Sequence, residues 1–225
     1  MKPDATIFIP TKNAGPEFRI VLKKICDQQE KNIEIIILDS GSTDETLEIA
    51  RSFPVKLHEI KPVEFGHGKT RNLALEYAKA DFIVFLSQDA IPFDEFWLSC
   101  LLRNFDDLEV VGVFSRQIPR QNSKEVQRFF YQYYFPNKKI IRPQSEFNSS
   151  QNRFFSNVSS CIRKDVLQKY PFDETILTSE DQDWAMRVIQ LGFKTFYEPD
   201  SLVIHSHDHN LKQALFSFKW VNSIY

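Results

Sequence analysis

Glycine is scarce in this chain, with six residues in 225. They form neither GxGxxG nor GxxxxGK[ST], so the backbone cradles of dinucleotide and P-loop sites are missing. A bound nucleotide must therefore be held by side chains and a metal. Cysteine is rarer still. Cys26, Cys100 and Cys161 are odd in number, far apart and without CxxC or zinc spacing. They read as small buried apolar groups in a reducing, cytoplasmic setting. Excess charge is also lacking: 28 Lys and Arg against 30 Asp and Glu leave −2, so no global field attracts nucleic acid. Long apolar runs are missing too. IIIL and FIVFL have strand length, far below the ~20 residues of a membrane span, and MKPDATIFIP lacks the apolar core of a signal peptide.

What is present supports a folded core. Hydrophobic residues make up 42 % of the chain, which excludes a disordered polymer. The first 117 residues alternate between β-rich and amphipathic helical runs. Ala5–Pro10, Ile33–Asp39, Val55–Ile60, Phe82–Ser87 and Val110–Arg116 read as strands. Phe18, Val21, Leu22 and Ile25 give one apolar helix face, and Lys69–Ala80 and Asp94–Asn104 read as further helices. Ser42 and Glu45 are spaced as a capping box. This alternation predicts an α/β fold with a mainly parallel sheet flanked by helices. The period then breaks over residues 118–150, read as a partly helical insertion. A helix is predicted from Ser179 to Gln190, closed by Gly192. Short strands follow at Lys194–Glu198 and Leu202–Ser206, and a last amphipathic helix around Leu211–Phe218. One domain over residues 1–225 is expected.

Ligands of open α/β sheets bind beyond the carboxyl ends of the strands. Four polar, turn-rich segments fall there: Pro10–Asn13, Asp39–Asp44, Phe65–Asn72 and Ser87–Ala90. Their convergence is a stronger signal than any one of them.

Taken in order, IFIPTKN, ILDSGSTDET, FGHGKTRN, FLSQDAIP and SEDQDWAMRV resemble the inverting family 2 glycosyltransferases of the GT-A fold, most of all the bacterial rhamnosyltransferase branch. The resemblance covers about residues 5–210. It implies a Rossmann-like GT-A fold, with nucleotide-sugar binding in residues 1–117 and an acceptor and catalytic-base half in 118–225. It also implies a divalent cation, Mn²⁺ or Mg²⁺, a dTDP- or UDP-sugar donor, and a glycan or lipid-linked glycan acceptor in bacterial surface polysaccharide synthesis.

Carried over residue by residue, Thr11 and Asp39 match the nucleotide-base positions, where a carboxylate accepts an imide N–H. Arg71 matches a position near the base or diphosphate, and a cation at a helix start invites an anion. Pro10, Gly66 and Gln88 share that edge and complete the expected donor-binding set. Asp89 matches the metal position, although Gln88 stands where the family usually has an acid. A lone carboxylate still serves cations that complete their shell with phosphates. Asp181 matches the general base, with Glu180 beside it; from the residues alone, both equally complement a helix dipole. His205 and His207 are both candidates for a metal-ligating histidine, with His205 preferred. Two alternatives stand beside this reading: a sugar-nucleotide nucleotidyltransferase, whose glycine-rich turn PTKNAG lacks, and a binding-only homologue with a thinned metal motif.

Residues 116–142 carry seven basic side chains against Glu125 alone, interleaved with six aromatics. That composition suits an anionic amphipathic surface, such as the inner membrane face or a lipid-diphosphate acceptor. It suits equally an aromatic core with a solvated basic rim.

Overall fold

The computed structural model describes residues 1–30, 32–142 and 154–206. Its centre is a nine-stranded sheet: β1 (Ala5–Thr11), β2 (Ile33–Asp39), β3 (Lys56–Glu59), β4 (Phe82–Leu86), β5 (Ile91–Pro92), β6 (Val110–Ile118), β7 (Ile140–Arg142), β8 (Ser159–Arg163) and β9 (Lys194–Ile204). The order is β3-β2-β1-β4-β8-β6-β9-β5, with β7 also on β9. The pairings β3-β2, β2-β1, β1-β4 and β6-β9 are parallel, whereas β8 runs antiparallel to both β4 and β6. Strands β1 to β4, β6 and β9 therefore point one way. Their carboxyl ends share an edge with the start of β8.

Strands β1, β2 and β4 carry apolar side chains on both sides because helices cover both faces. Ile7, Ile9, Ile35, Ile37, Val84 and Leu86 face one core with Phe18, Val21, Leu22 and Ile25 of α1 (Phe18–Cys26) and Trp97, Leu98 and Leu101 of α5 (Trp97–Leu102). The same core takes Ile49 and Ala50 from α2 (Thr46–Arg51). Phe8, Ile36, Leu38, Ile83 and Phe85 point the other way. There they meet Ala74 of α4 (Ala74–Tyr77), Tyr131 and Tyr134 of α6 (Glu125–Tyr134), Val166 and Leu167 of α7 (Lys164–Lys169), and Trp184, Ala185 and Val188 of α8 (Glu180–Gln190). The period-two alternation of the strands sorts the two sets.

Several local readings change. Ser42 forms no capping box: its hydroxyl donates to Asp39 Oδ2, and Asp44 Oδ1 accepts the Thr46 N–H at 3.0 Å instead. The helix expected over 69–80 starts earlier as α3 (His67–Asn72) and ends at Tyr77. Asn72, the last residue of α3, exchanges two hydrogen bonds with the Phe172 backbone, both 3.0 Å. The two short strands after residue 193 are one strand, β9, carried through an irregularity opposite Ser115 and Arg116. Half of the basic insertion is core: Tyr131, Tyr134 and Phe135 are buried, while Phe129 and Tyr133 are exposed. The predicted last helix lies outside the described residues. Cys100 and Cys161 are buried and Cys26 half-buried, with no disulfide among the described residues.

Candidate active site

Strand order reverses at β1, which has β2 on one side and β4 on the other. A cavity of about 340 Å³ opens at this switch point. Three of the four polar segments supply Pro10–Lys12, Phe65, His67, Thr70 and Arg71, and Ser87–Asp89; the second contributes Ser40. The loops after β1 and β2 are laced together. Asn13 N–H donates to Ser42 Oγ at 2.8 Å, Thr43 N–H to Asn13 Oδ1 at 2.8 Å, and Gly15 N–H to Asp44 Oδ2 at 3.0 Å. Asp39 is wholly buried and saturated: Oδ1 accepts from Gly41 and Ser42 N–H, and Oδ2 from the Thr11 and Ser42 hydroxyls. Gly41 permits this turn. Its φ is +90°, and a Cβ there would stand 2.7 Å from Pro62 Cγ.

Gln88 clamps the far wall. Its Oε1 accepts Lys12 N–H at 2.8 Å and its Nε2 donates to Lys12 C=O at 3.1 Å. The Lys12 side chain is left exposed on the cavity wall.

The FGHGKTRN turn forms the near wall. Gly66 is extended, and its nearest added-Cβ contact is an ordinary 3.5 Å. Gly68 carries the steric requirement, since a Cβ would meet Asp173 C=O at 2.7 Å. That close approach docks α3 against the 172–173 segment. Arg71 then reaches across the chain: Nη1 donates to Glu180 Oε1 at 2.8 Å, with the two side chains 13 % and 5 % exposed. Its Nε is buried and has no hydrogen-bond partner among the described residues. Beside it, burial and the Arg71 charge hold His67 below the usual imidazole range.

Glu180 opens α8, and Ser179 before it adopts a left-handed conformation, φ +65°. Such strain in a non-glycine residue is a feature of functional turns. Asp181, next in line, accepts Asn157 N–H at 2.8 Å. Burial first and the Glu180 charge second push its carboxyl up to about 7.

The metal candidates meet through sheet pairing. Ile91 of β5 pairs with Ile204 of β9, which brings Asp89 to His205. Asp89 Oδ2 lies 3.6 Å from His205 Nε2. On the far side of the ring, Nδ1 is 3.0 Å from Gln117 Oε1 and 3.4 Å from the Tyr131 hydroxyl. Gln117 Nε2 donates to Ser156 Oγ at 3.0 Å, which orients the amide oxygen toward the ring. With the Gln117 amide oxygen beside Nδ1, Nε2 is the ring nitrogen that faces the carboxylate. Two ligands roughly 2.1 Å from a shared cation, at about 90–115°, stand roughly 3.0–3.6 Å apart, so the pair fits a divalent ion. Among the described residues no third His, Cys, Asp or Glu joins them, so the remaining positions would fall to phosphate and water.

The family model for glycosyl transferase family 2 matches residues 6–170. The chain belongs to glycosyl transferase family 2. It is 33 % identical over 219 residues to the O-antigen chain rhamnosyltransferase WbaN of Salmonella anatum, covering 94 % of this chain and 69 % of that one. It is 32 % identical over 213 residues to the O-antigen chain rhamnosyltransferase RfbN of Salmonella typhimurium, covering 92 % and 68 %. Among solved structures, Staphylococcus aureus TarS 1-349 in complex with UDP-GlcNAc superposes with a TM-score of 0.73 at 19 % identity, over 94 % of this chain and 60 % of that one. The mannosyltransferase PcManGT of Pyrobaculum calidifontis, in complex with GDP-Man and Mn²⁺, gives 0.70 at 21 %, over 91 % and 57 %. The chain thus spans under two thirds of these solved structures and about two thirds of the rhamnosyltransferases. The fold is GT-A.

Within this glycosyl transferase family 2 chain, the expected residues divide. Pro10, Thr11, Arg71, Gln88 and Asp89 line one cavity, Glu180 reaches it through Arg71, and His205 meets Asp89. Asp39 is not on the wall; it braces Thr11 from behind at 2.9 Å. Gly66 lies beside the cavity, and His207 lies outside the described residues. Reading the sequence missed Lys12, Gln117, Tyr131 and Asn157. Lys12 was present in PTKN. The other three carried no signal, because their roles depend on which strands are neighbours.

Proposed function

We propose that this chain is an inverting glycosyltransferase that moves L-rhamnose from a pyrimidine nucleotide-diphosphate donor to a glycan hydroxyl. The observation that carries the reading is the Arg71–Glu180 bridge, which ties the donor-side cavity to the helix presenting Asp181. Pro10, Thr11 and the loop braced by Asp39 receive the nucleoside, and Arg71 and Lys12 face the diphosphate. The unpartnered Arg71 Nε is a donor waiting for an anionic oxygen. Asp89 and His205 would hold Mn²⁺ or Mg²⁺, with His207 a further candidate. When bound, the cation neutralises charge on the departing diphosphate.

Asp181 takes the acceptor hydroxyl proton as the oxygen bonds to the anomeric carbon and the bond to the diphosphate oxygen breaks. A carboxyl poised near 7 is matched to that task at neutral pH. Attack opposite the leaving group inverts the configuration. Residues 1–117 hold the donor, and 118–206 supply the base and the acceptor side. The rhamnosyl donor and the surface-glycan acceptor are supported by the likeness to the two Salmonella rhamnosyltransferases. Exposed Val126, Phe129 and Tyr133 on one stripe of α6, with Lys138 nearby in sequence, support peripheral contact with the inner membrane face. No helix among the described residues is long and apolar enough to cross a membrane.

Donor screening with purified chain tests the proposal. Nucleoside diphosphate release from dTDP-L-rhamnose, enhanced by an acceptor glycan, is expected. No turnover of any sugar nucleotide, with intact nucleotide binding, would support a binding-only homologue instead.

A further inference from the structure

The carboxylate expected to read a nucleobase is closed to it. Asp39 is wholly buried, and each of its oxygens already accepts two hydrogen bonds. A carboxylate offers about four lone-pair sites, so none remains for the imide N–H of a base. Thr11, which does line the donor-side cavity, donates its hydroxyl proton to Asp39 at 2.9 Å. A nucleoside entering here must be held by something other than that carboxylate.

The cavity has an apolar end. Pro10, Pro62 and Phe65 line it, and every other lining residue carries a polar side chain. These three gather around the Asp39 turn. Pro10 pairs with Leu38 in the sheet, next to Thr11 on Asp39. The Asp39 carbonyl accepts Ile60 N–H at 2.8 Å, and the chain then turns through Pro62–Glu64. Pro62 packs so closely on Gly41 that a Cβ there would stand 2.7 Å from its Cγ. Phe65 comes next, and Arg71 follows on α3. Phe65 is a large apolar ring, yet it is 43 % exposed. Its contact with His67 is edge-to-face, with centroids 5.2 Å apart and planes at 74°. Such a contact covers at most one face of the Phe65 ring. An open aromatic face on a cavity wall suits a planar heterocycle, because base–aromatic stacking needs no particular hydrogen-bonding edge.

We propose that Phe65 is the platform on which the nucleobase stacks, that Asp39 only shapes the loop beside it, and that the site recognises the base by its face rather than by its imide edge. The inference rests on the proposed nucleotide-sugar donor and assigns the residue that holds its base.

Calorimetric titrations of the full chain with Mn²⁺ present test it. The probes are dTDP, UDP, UDP methylated at N3, GDP, and inorganic pyrophosphate, which carries the diphosphate without a base. Wild type should bind dTDP and UDP alike and both more tightly than pyrophosphate. N3-methyl-UDP, which lacks the imide N–H, should bind comparably to UDP. Phe65→Ser should weaken dTDP and UDP about tenfold or more, as loss of a stacking partner does, and leave pyrophosphate affinity and Tm unchanged. Phe65→Tyr should keep wild-type affinity for all of them. Unchanged dTDP binding in folded Phe65→Ser would overturn the platform, and so would equal losses for dTDP and pyrophosphate, which mean a displaced loop. Loss of binding on N3 methylation would overturn recognition by the face. Should wild type bind GDP but neither pyrimidine nucleotide, the proposed pyrimidine donor falls, while the Phe65 comparison made with GDP still decides the platform. Binding of every nucleotide no better than pyrophosphate would overturn the platform itself.

Discussion

Arg71 and Glu180 are 109 positions apart in sequence and joined by a 2.8 Å ion pair that is almost closed to water. Such a pair is poor evidence for stability, because desolvating two charges offsets most of their attraction. Its value lies in position: one end lines the donor-side cavity and the other abuts Asp181. Glu180→Gln removes one of the two causes that raise the Asp181 carboxyl. The acidic limb of the pH–rate profile should therefore move below 7, while burial keeps it above the ordinary carboxylate range. The KM for donor should rise several-fold as Arg71 loses its ionic anchor. An unmoved limb with an unchanged KM would separate this pair from catalysis.

Asp181→Asn should keep the fold and dTDP binding and lower transfer by roughly 10²–10⁴. Stability should change in the opposite sense. A carboxyl whose folded pKa is raised to about 7 favours the folded state while protonated. That contribution is full below the unfolded value near 3.8, and is lost as pH rises to about 7. The asparagine escapes the loss, so its Tm should exceed that of wild type at pH 8 and match it near pH 4. Thermal melts at the two pH values check this, and a variant less stable at pH 8 would contradict it.

Asp89→Ala should abolish the Mn²⁺-dependent part of nucleotide binding, and His205→Ala should weaken it. Gln117→Leu leaves His205 in place but removes the amide oxygen beside its Nδ1, so Mn²⁺ affinity should fall about 10- to 100-fold. Nucleotide titrations with and without Mn²⁺ measure all three. Chelator-insensitive binding in wild type would point to Arg71 and Lys12 as the only cations at the diphosphate.

Membrane contact can be tested on α6. The exposed Phe129 and Lys138 should support salt-sensitive binding to vesicles containing anionic lipid, each nearby cation contributing about 1 kcal/mol. Phe129→Ser with Lys138→Ser should weaken sedimentation with those vesicles. Lys139 is a poorer probe, because it already pairs with Glu198 at 3.4 Å. Equal partitioning onto neutral vesicles would leave α6 as ordinary scaffold.

Much of this molecule was legible from period and motif. Strands buried on both faces announce themselves as apolar runs, and the strand ends and the segments that follow them hold Thr11, Arg71 and Asp89. The second half was harder to read. Gln117, Asn157 and His205 converge only because β8 inserts antiparallel between β4 and β6, and β9 pairs with β6. No periodicity encodes that order. Side-chain partners were equally hidden: Asp39 reads as a free acceptor, yet four hydrogen bonds already occupy it. Gly66 and Gly68 look alike in FGHG, and only the backbone of Asp173 distinguishes them.

The proposed enzyme is defined by transfer from a pyrimidine nucleotide sugar. At about 100 times Kd, dTDP or UDP with Mn²⁺ should contribute about 2.7 kcal/mol, roughly 5–10 °C in Tm for a chain of this length, and AMP or NAD should do nothing. The most direct measurement then follows the sugar itself: NMR of the product formed from dTDP-L-rhamnose and an O-antigen acceptor glycan with Mn²⁺. Release of dTDP coupled to a new glycosidic bond, with configuration opposite to the donor's, is expected. A product of retained configuration, or nucleotide binding without transfer across all pyrimidine donors, would contradict it.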